Sequence, residues 1–200
     1  MEGMGVTLLL SLITVVFGTI LGTVFALMRL SKSKILNIIS ETYTEIVRGI
    51  PLLLQLWVIY LLFSSALGKV GAVCLALLLN SAAYVAEIIR SGIQAVDKGQ
   101  VEASRSLGIN ANKTMTKIVL PQAVKNILPA LGNEFVTVIK ETSLSSVFYI
   151  GDLMTAKTII TTQTYLAIEP YIIIGIIYFI LTYTLSKFIG KFEKRLKLSD

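Results

Sequence analysis

Two groups of residues could do chemistry inside an otherwise apolar chain. Asn80, Tyr84 and Glu87 fall at i, i+4 and i+7, a spacing that sets all three on one face of a helix. Further along, Glu134 is followed by Lys140, Glu141, Thr142, Ser143, Ser145 and Ser146, with Asp152 just beyond. Both sets lie in hydrophobic runs, where polar and ionisable groups are costly and mark binding sites, gates or internal pairs. Glu141 is the sharpest candidate, because a buried carboxylate without a permanent partner favours a cationic ligand whose charge offsets the desolvation. Asp152 could add a second negative group at an outer mouth. Substrate contact and structural pairing weigh equally for Asn80, Tyr84, Glu141, Thr142, Ser143 and Ser146. Glu87, Arg90, Glu134 and Lys140 read as structural or gating residues. The helix-spaced pairs are Glu87 with Arg90, and Lys140 with Glu134 or Glu141. If Lys140 neutralises Glu141, the case for a cationic ligand largely disappears.

Hydrolytic and metal chemistry find no support. The chain has no histidine to serve as a general base or metal ligand, and no G-x-x-x-x-G-K-[ST] phosphate loop. Its single cysteine, Cys74, sits in an apolar run, so no intrachain disulfide can form.

The elements that must position these residues are membrane spans. Of the 200 residues 54% are hydrophobic and only 15% charged, and the mean hydropathy is +0.78, the balance of an integral membrane protein. The net charge of +6 could suggest nucleic acid, but the basic residues cluster at the ends of apolar runs, which is the positive-inside pattern and argues against a nucleic-acid face.

Five spans are expected: Gly5 to Met28, Pro51 to about Leu67, Val70 to Ile89, Ile127 to about Ile150, and Pro170 to Ile189. The first, which lacks the flanks of a cleaved signal, reads as retained, and Thr14, Gly18, Gly22 and Ala26 give it a small-residue stripe for close packing. A short outer turn at Gly68, Lys69 and Gly71 separates the second and third spans. Arg29, Lys32 and Lys34 place the first connection in the cytoplasm, the N-terminus outside and the basic C-terminal tail, Lys187 to Lys197, inside. The outer segment Gly151 to Glu169 has one basic residue, Lys157.

Between the third and fourth spans the stretch GQVEASRSLGINANKTMTKIVLPQ, Gly99 to Gln122, is polar. Val101, Ser104 and Leu107 recur at helical spacing, predicting a short amphipathic helix over Gln100 to Leu107 closed by Gly108 in a left-handed cap. Asn110 or Asn112 can cap a second helix, Lys113 to Val119, and Pro121 suits the first turn of a third. The product is a helical knob between two spans, shaped to enter a groove on a soluble partner.

Glu102-Ala103-Ser104, Gly108, Ile118, Leu120 and Pro121 match the pattern E-A-A-x3-G-x9-I-x-L-P, with Ser104 in place of the second alanine. This resembles the cytoplasmic loop, here about residues 94–122, by which ABC import permeases dock on their ATPases. RGIPLLLQL (Arg48 to Leu56), NSAAYVAEIIRSGI (Asn80 to Ile93) and LGNEFVTVIKETSLSSV (Leu131 to Val147) extend the likeness to the polar amino acid branch, which includes histidine, glutamine and arginine permeases. The resemblance implies one all-α membrane domain over residues 1–200, with five transmembrane helices in the type I ABC importer (MetI-like) permease fold, in the cell membrane. It implies a second permease subunit, identical or a paralogue, and an extracytoplasmic solute-binding protein that delivers an amino acid. The cytoplasmic ATPase subunits would hold ATP and magnesium, so this chain needs no cofactor and is not itself an enzyme. Glu102, Ala103, Ser104 and Gly108 are the expected docking residues. Two acidic groups on the route lean towards arginine, lysine or histidine as cargo; glutamine or another neutral polar amino acid is the alternative. A stand-alone channel or secondary transporter would have no need of the docking loop.

Overall fold

The structure, a computed structural model, describes residues 2–197, with backbone alone at 196 and 197. The side chain of Lys197, counted above in the basic tail, lies outside the described residues.

The first helix, α1 (Glu2–Leu30), buries Thr14, Gly18, Gly22 and Ala26 and turns large apolar residues such as Leu9, Ile20 and Leu27 outwards. A small side facing protein and a bulky side facing lipid is the division expected when hydrocarbon surrounds the bundle. Its main partner is α3 (Leu52–Gln94). A Cβ on Gly22 would lie 2.7 Å from the Ala82 carbonyl oxygen and 2.7 Å from the Val85 Cβ, so the two backbones meet at a distance only glycine allows.

A single non-helical residue, Gly68 (φ 71°, ψ 171°), folds α3 into two arms. Gln55 and Asn80, 25 residues apart, are hydrogen-bonded at 3.3 Å; on one straight helix they would be about 37 Å apart. The second and third spans therefore form a hairpin. Lys69 and Gly71, expected in the turn, already belong to the second arm. The two arms share a core of Leu56, Val73, Ala76 and Leu77 with Leu10 of α1 and Phe148. Phe148 stacks on Tyr60 with ring centroids 4.4 Å apart and meets Trp57 edge-on at 4.8 Å.

Between α1 and α3 lies α2 (Lys34–Gly49), amphipathic with its polar side inward. Ser40 donates to the Phe25 carbonyl (2.7 Å), Arg29 reaches Glu41 (2.7 Å), and Tyr43 donates to the Leu79 carbonyl (2.6 Å), while Ile35, Ile38 and Ile46 point outwards.

The fourth span starts earlier than the sequence implies. α5 (Ala111–Thr114) runs through a π-helical turn, Met115–Val119, directly into α6 (Leu120–Glu141), where a separate helix opened by Pro121 was expected. Pro121 has no N–H to donate, and a widened turn just before it accommodates the ring without breaking the rod.

At its far end α6 stops at Glu141 and tightens into a 3-10 turn over Thr142–Phe148, ending at Tyr149 in the left-handed region (φ 53°). Thr142 and Ser143 donate to the carbonyls of Ile139 (2.7 Å) and Lys140 (2.6 Å). Ser145 and Ser146 do the same to Thr142 and Ser143. Successive hydroxyls bonding three residues back offer the backbone the shorter repeat. The segment after the 3-10 turn holds a further helix, α7 (Leu153–Thr164), and α8 (Glu169–Lys197) is the last span. Lys157 of α7 is buried, with its Nζ 3.8 Å from the centre of the Tyr171 ring.

Among the described residues three helices are long and apolar enough to cross a membrane, Glu2–Leu30, Leu52–Gln94 and Glu169–Arg195. With the hairpin counted as two, and with α6 too polar to register on hydropathy, the bundle has the five spans expected.

Candidate functional site

The knob is closed by local hydrogen bonds at every end. α4 (Lys98–Ser106) starts at Asp97, whose Oδ1 accepts the Gly99 N–H at 2.7 Å. It stops at Gly108 (φ 78°), where the Gly108 N–H reaches the Arg105 carbonyl (3.0 Å) and the Ile109 N–H the Ser104 carbonyl (3.2 Å). Those two bonds make a Schellman motif, the left-handed closure read from the sequence. Asn110 caps α5 by accepting the Lys113 N–H at 2.9 Å. Ser104 is buried and its hydroxyl lies 2.8 Å from that of Thr114, tying α4 to α5. Of the four expected docking residues, Glu102, Ala103 and Gly108 are exposed, and Leu107 beside them is 81% exposed. Ser104 faces inward and can act only by holding the others in place.

The knob is rooted in the bundle. Val96, Val119, Ala123 and Ile127 form a buried cluster against which Ile93, Val101 and Leu131 pack. Packed side chains thus join the knob to the adjoining ends of α3 and α6.

Within the spans, α3 carries the first group of sequence candidates towards α2. Asn80 is 3% exposed; its Nδ2 donates to the Gln55 Oε1, and its Oδ1 has no partner. Gln55 in turn donates to the carbonyls of Val47 (2.7 Å) and Ile50 (2.8 Å), closing the C-terminal end of α2. The half-buried Tyr84 ring lies under the Arg48 guanidinium, 5.6 Å from its centre. Glu87 accepts two hydrogen bonds from Arg90, as the sequence spacing predicts, and also faces Arg48 at 3.6 Å. The residue next to Asn80, Ser81, turns the other way and donates to the buried Glu134 carboxylate of α6 at 3.0 Å.

The pairing expected for Lys140 does not form. Among the described residues it makes no ion pair, and it is exposed. Glu134 has taken a hydroxyl partner, and Glu141 is half-buried with neither an ion pair nor a side-chain hydrogen bond among the described residues. Thr142, Ser143 and Ser146 spend their hydroxyl protons on the backbone, leaving oxygen lone pairs as what they can offer a ligand. Asp152, placed by the sequence at an outer mouth, is fully buried and caps α7, accepting from the N–H groups of Met154 (3.0 Å) and Thr155 (3.2 Å) and from the Thr155 hydroxyl. A carboxylate inside a buried cap is not at a mouth, and the second acidic group of the route is lost with it.

Sequence reasoning singled out neither Arg48 nor Asp97 nor Thr114 as site residues. Arg48 and Gln55 lie inside the RGIPLLLQL segment, so a signal was there; nothing local says that Arg48 would reach Tyr84 and Glu87 on another helix.

A five-span helical bundle with polar groups turned inward and a compact helical knob between two spans is the architecture of a membrane transport component. The chain belongs to the family of binding-protein-dependent transport system inner membrane components, whose model matches residues 8–198. The relatives within it that resemble this chain are named as permease proteins of amino acid transport systems. It is 43% identical to the arginine transport system permease protein ArtQ of Bacillus subtilis, over 100% of this chain and 93% of that one. It is 41% identical to the putative glutamine transport system permease protein GlnP of Rickettsia bellii, over 99% and 93%. A crystal structure of an amino acid ABC transporter with histidines matches with a TM-score of 0.92 and 46% identity, covering 96% of this chain and 92% of that one. A MetNI methionine ABC transporter, at 18% identity and a TM-score of 0.82, shares the fold.

Proposed function

We propose that the importer carries polar amino acids with a positively charged side chain: arginine, lysine or histidine. The observation that carries this is Glu141, a half-buried carboxylate at the end of a span with neither an ion pair nor a side-chain hydrogen bond among the described residues, its neighbour Lys140 being exposed. A cationic side chain would supply the close partner it lacks. The unpartnered Asn80 Oδ1 is an acceptor suited to an ammonium group. Tyr84, Ser143 and Ser146 complete the proposed contacts; Asp152 and Thr142, both fully buried, are left out.

In the working cycle a solute-binding protein delivers the amino acid, and a second permease, identical or a paralogue, supplies the other side of the route. The ATPase subunits hold ATP and magnesium and close on the knob, which meets them through Glu102, Ala103 and Gly108, with Ser104 bracing the face from within. The N-terminus is outside and the C-terminus in the cytoplasm. Coupling is a shift between two membrane conformations whose relative stability depends on the partner's nucleotide state.

The deciding experiment is competition of uptake in proteoliposomes holding the assembled importer. Arginine, lysine or histidine displacing one another far better than glutamine supports the cationic reading. Glutamine as the preferred cargo overturns it, a live outcome because relatives named for arginine and for glutamine are about equally similar.

A further inference from the structure

We propose that Tyr84 and Glu87 form a cation-exchange site in the permease, occupied in this conformation by Arg48 and vacated to a basic side chain of the cargo as it leaves. The proposal deepens the cationic reading and rests on it.

The geometry is that of guanidinium recognition. Tyr84 and Glu87 are i and i+3 on α3, so ring and carboxylate sit together on one helix face. Arg48, from the end of α2, lies over the ring at 5.6 Å and against the carboxylate at 3.6 Å. An aromatic face and a carboxylate are the two partners that bind a guanidinium or ammonium group by quadrupole and by charge. The protein's own arginine thus shows what chemistry the pair accepts.

Of the two arginines at Glu87, only one is firmly held. Arg90 engages both carboxylate oxygens by hydrogen bonds. Arg48 stops at 3.6 Å, beyond hydrogen-bond reach, and its side chain is 40% exposed. Arg48 is the exchangeable partner. Exchange also respects charge. Glu87 already faces two cations, so a third could not join without a large penalty, but one that replaces Arg48 leaves the local charge unchanged. Side chains this polar, partly exposed and within or beside a span, face water or protein and not lipid.

Arg48 is therefore a competitor of the cargo, and removing it should strengthen retention of basic amino acids on the inner side. The test uses the assembled importer in proteoliposomes, with arginine or glutamine preloaded in the lumen and ATP-driven arginine uptake as the readout. In Arg48→Gln the lumenal arginine needed to halve uptake should fall about tenfold, a change worth about 1.4 kcal/mol, while the effect of glutamine stays as in wild type. Arg48→Lys, which keeps the charge and loses the planar fork, should lie between. Glu87→Gln added to Arg48→Gln should abolish the gain. Equal inhibition by arginine in wild type and Arg48→Gln, or an equal shift for glutamine, overturns the exchange. If Arg48→Gln fails to assemble, Arg48→Lys decides: sensitivity to arginine identical to wild type counts against the site. Wild type that takes up no arginine overturns the cationic reading and this site with it; normal arginine uptake with unmoved inhibition overturns this site alone.

Discussion

The knob and the polar run at the end of α6 are both islands of polarity in an apolar chain, and they are finished in opposite ways. In the knob, Asp97, Ser104, Asn110 and Thr114 all find partners within about three turns of helix, and the apolar side is sealed by Val96, Val119 and Ile127. Along α6 and its 3-10 extension the hydroxyls are absorbed by the backbone, but Glu141 has no ion pair or side-chain hydrogen bond among the described residues. On α3 the Asn80 Oδ1 is likewise open. A region whose polar groups are all satisfied can transmit force without deforming. A region with groups left open has its last partner elsewhere, in a ligand or another subunit. Under the proposed function the knob serves as a rigid transmitter and the span interior as an incomplete site.

The most severe way to break this contrast is to spoil the transmitter. Gly108→Val forces a β-branched residue to φ 78°, at a cost of about 1–3 kcal/mol. The chain should relieve it by opening the Schellman closure and misdirecting Leu107 and Ala103. ATP-driven uptake should drop at least tenfold, since about 1.4 kcal/mol of lost coupling is a factor of ten, with the subunits still copurifying. Retention of wild-type uptake per ATP hydrolysed would show that the knob tolerates distortion and is not the rigid element argued for.

Second in size is Glu141→Gln, which fills the same space and removes the charge. Uptake of a cationic amino acid should weaken about tenfold or more, the range for a hydrogen bond to a charged group, with little change for a neutral one. Equal loss for both would make Glu141 a structural residue and leave the span interior complete without cargo.

The same contrast decides what was legible in the sequence. Gly108 and the more apolar spans act locally, through backbone geometry and hydropathy, and landed where composition and spacing put them, and of the two cap candidates Asn110 is the one that caps. Asp152 misled because an acidic residue after a polar run reads equally well as a mouth or an N-cap, and the choice depends on Thr155 closing back on it. Pro121 does stand in the first turn of α6, but a π turn, invisible to periodicity, joins that helix to the one before it. The Arg48 to Tyr84 and Ser81 to Glu134 contacts join different helices, and no local spacing encodes which faces meet.

A smaller effect tests whether the two regions are separable. Asp97→Ala removes the cap on α4, worth about 1 kcal/mol. Amide exchange at Gly99 and Gln100 should quicken and coupling should soften modestly, while discrimination between cationic and neutral amino acids stays as in wild type. A change in that discrimination would mean that the knob and the span interior form one unit.

The gentlest change sharpens the account of Ser104. Its hydroxyl contacts Thr114, but Thr114 also donates to the Asn110 carbonyl at 3.1 Å, so Ser104→Ala strands no donor. The loss should be one neutral hydrogen bond at most, about 0.5–1.5 kcal/mol, partly offset by the better helix propensity of alanine, about 0.5 kcal/mol. Uptake and thermal stability should therefore stay close to wild type. Ser104→Val, which puts a methyl in place of the hydroxyl and adds a second one in a buried position, should be worse, since an overfilled joint pushes α4 from α5. If instead Ser104→Ala uncouples uptake as strongly as Gly108→Val, the hydroxyl pair and not the left-handed turn sets the angle at which the knob meets its partner.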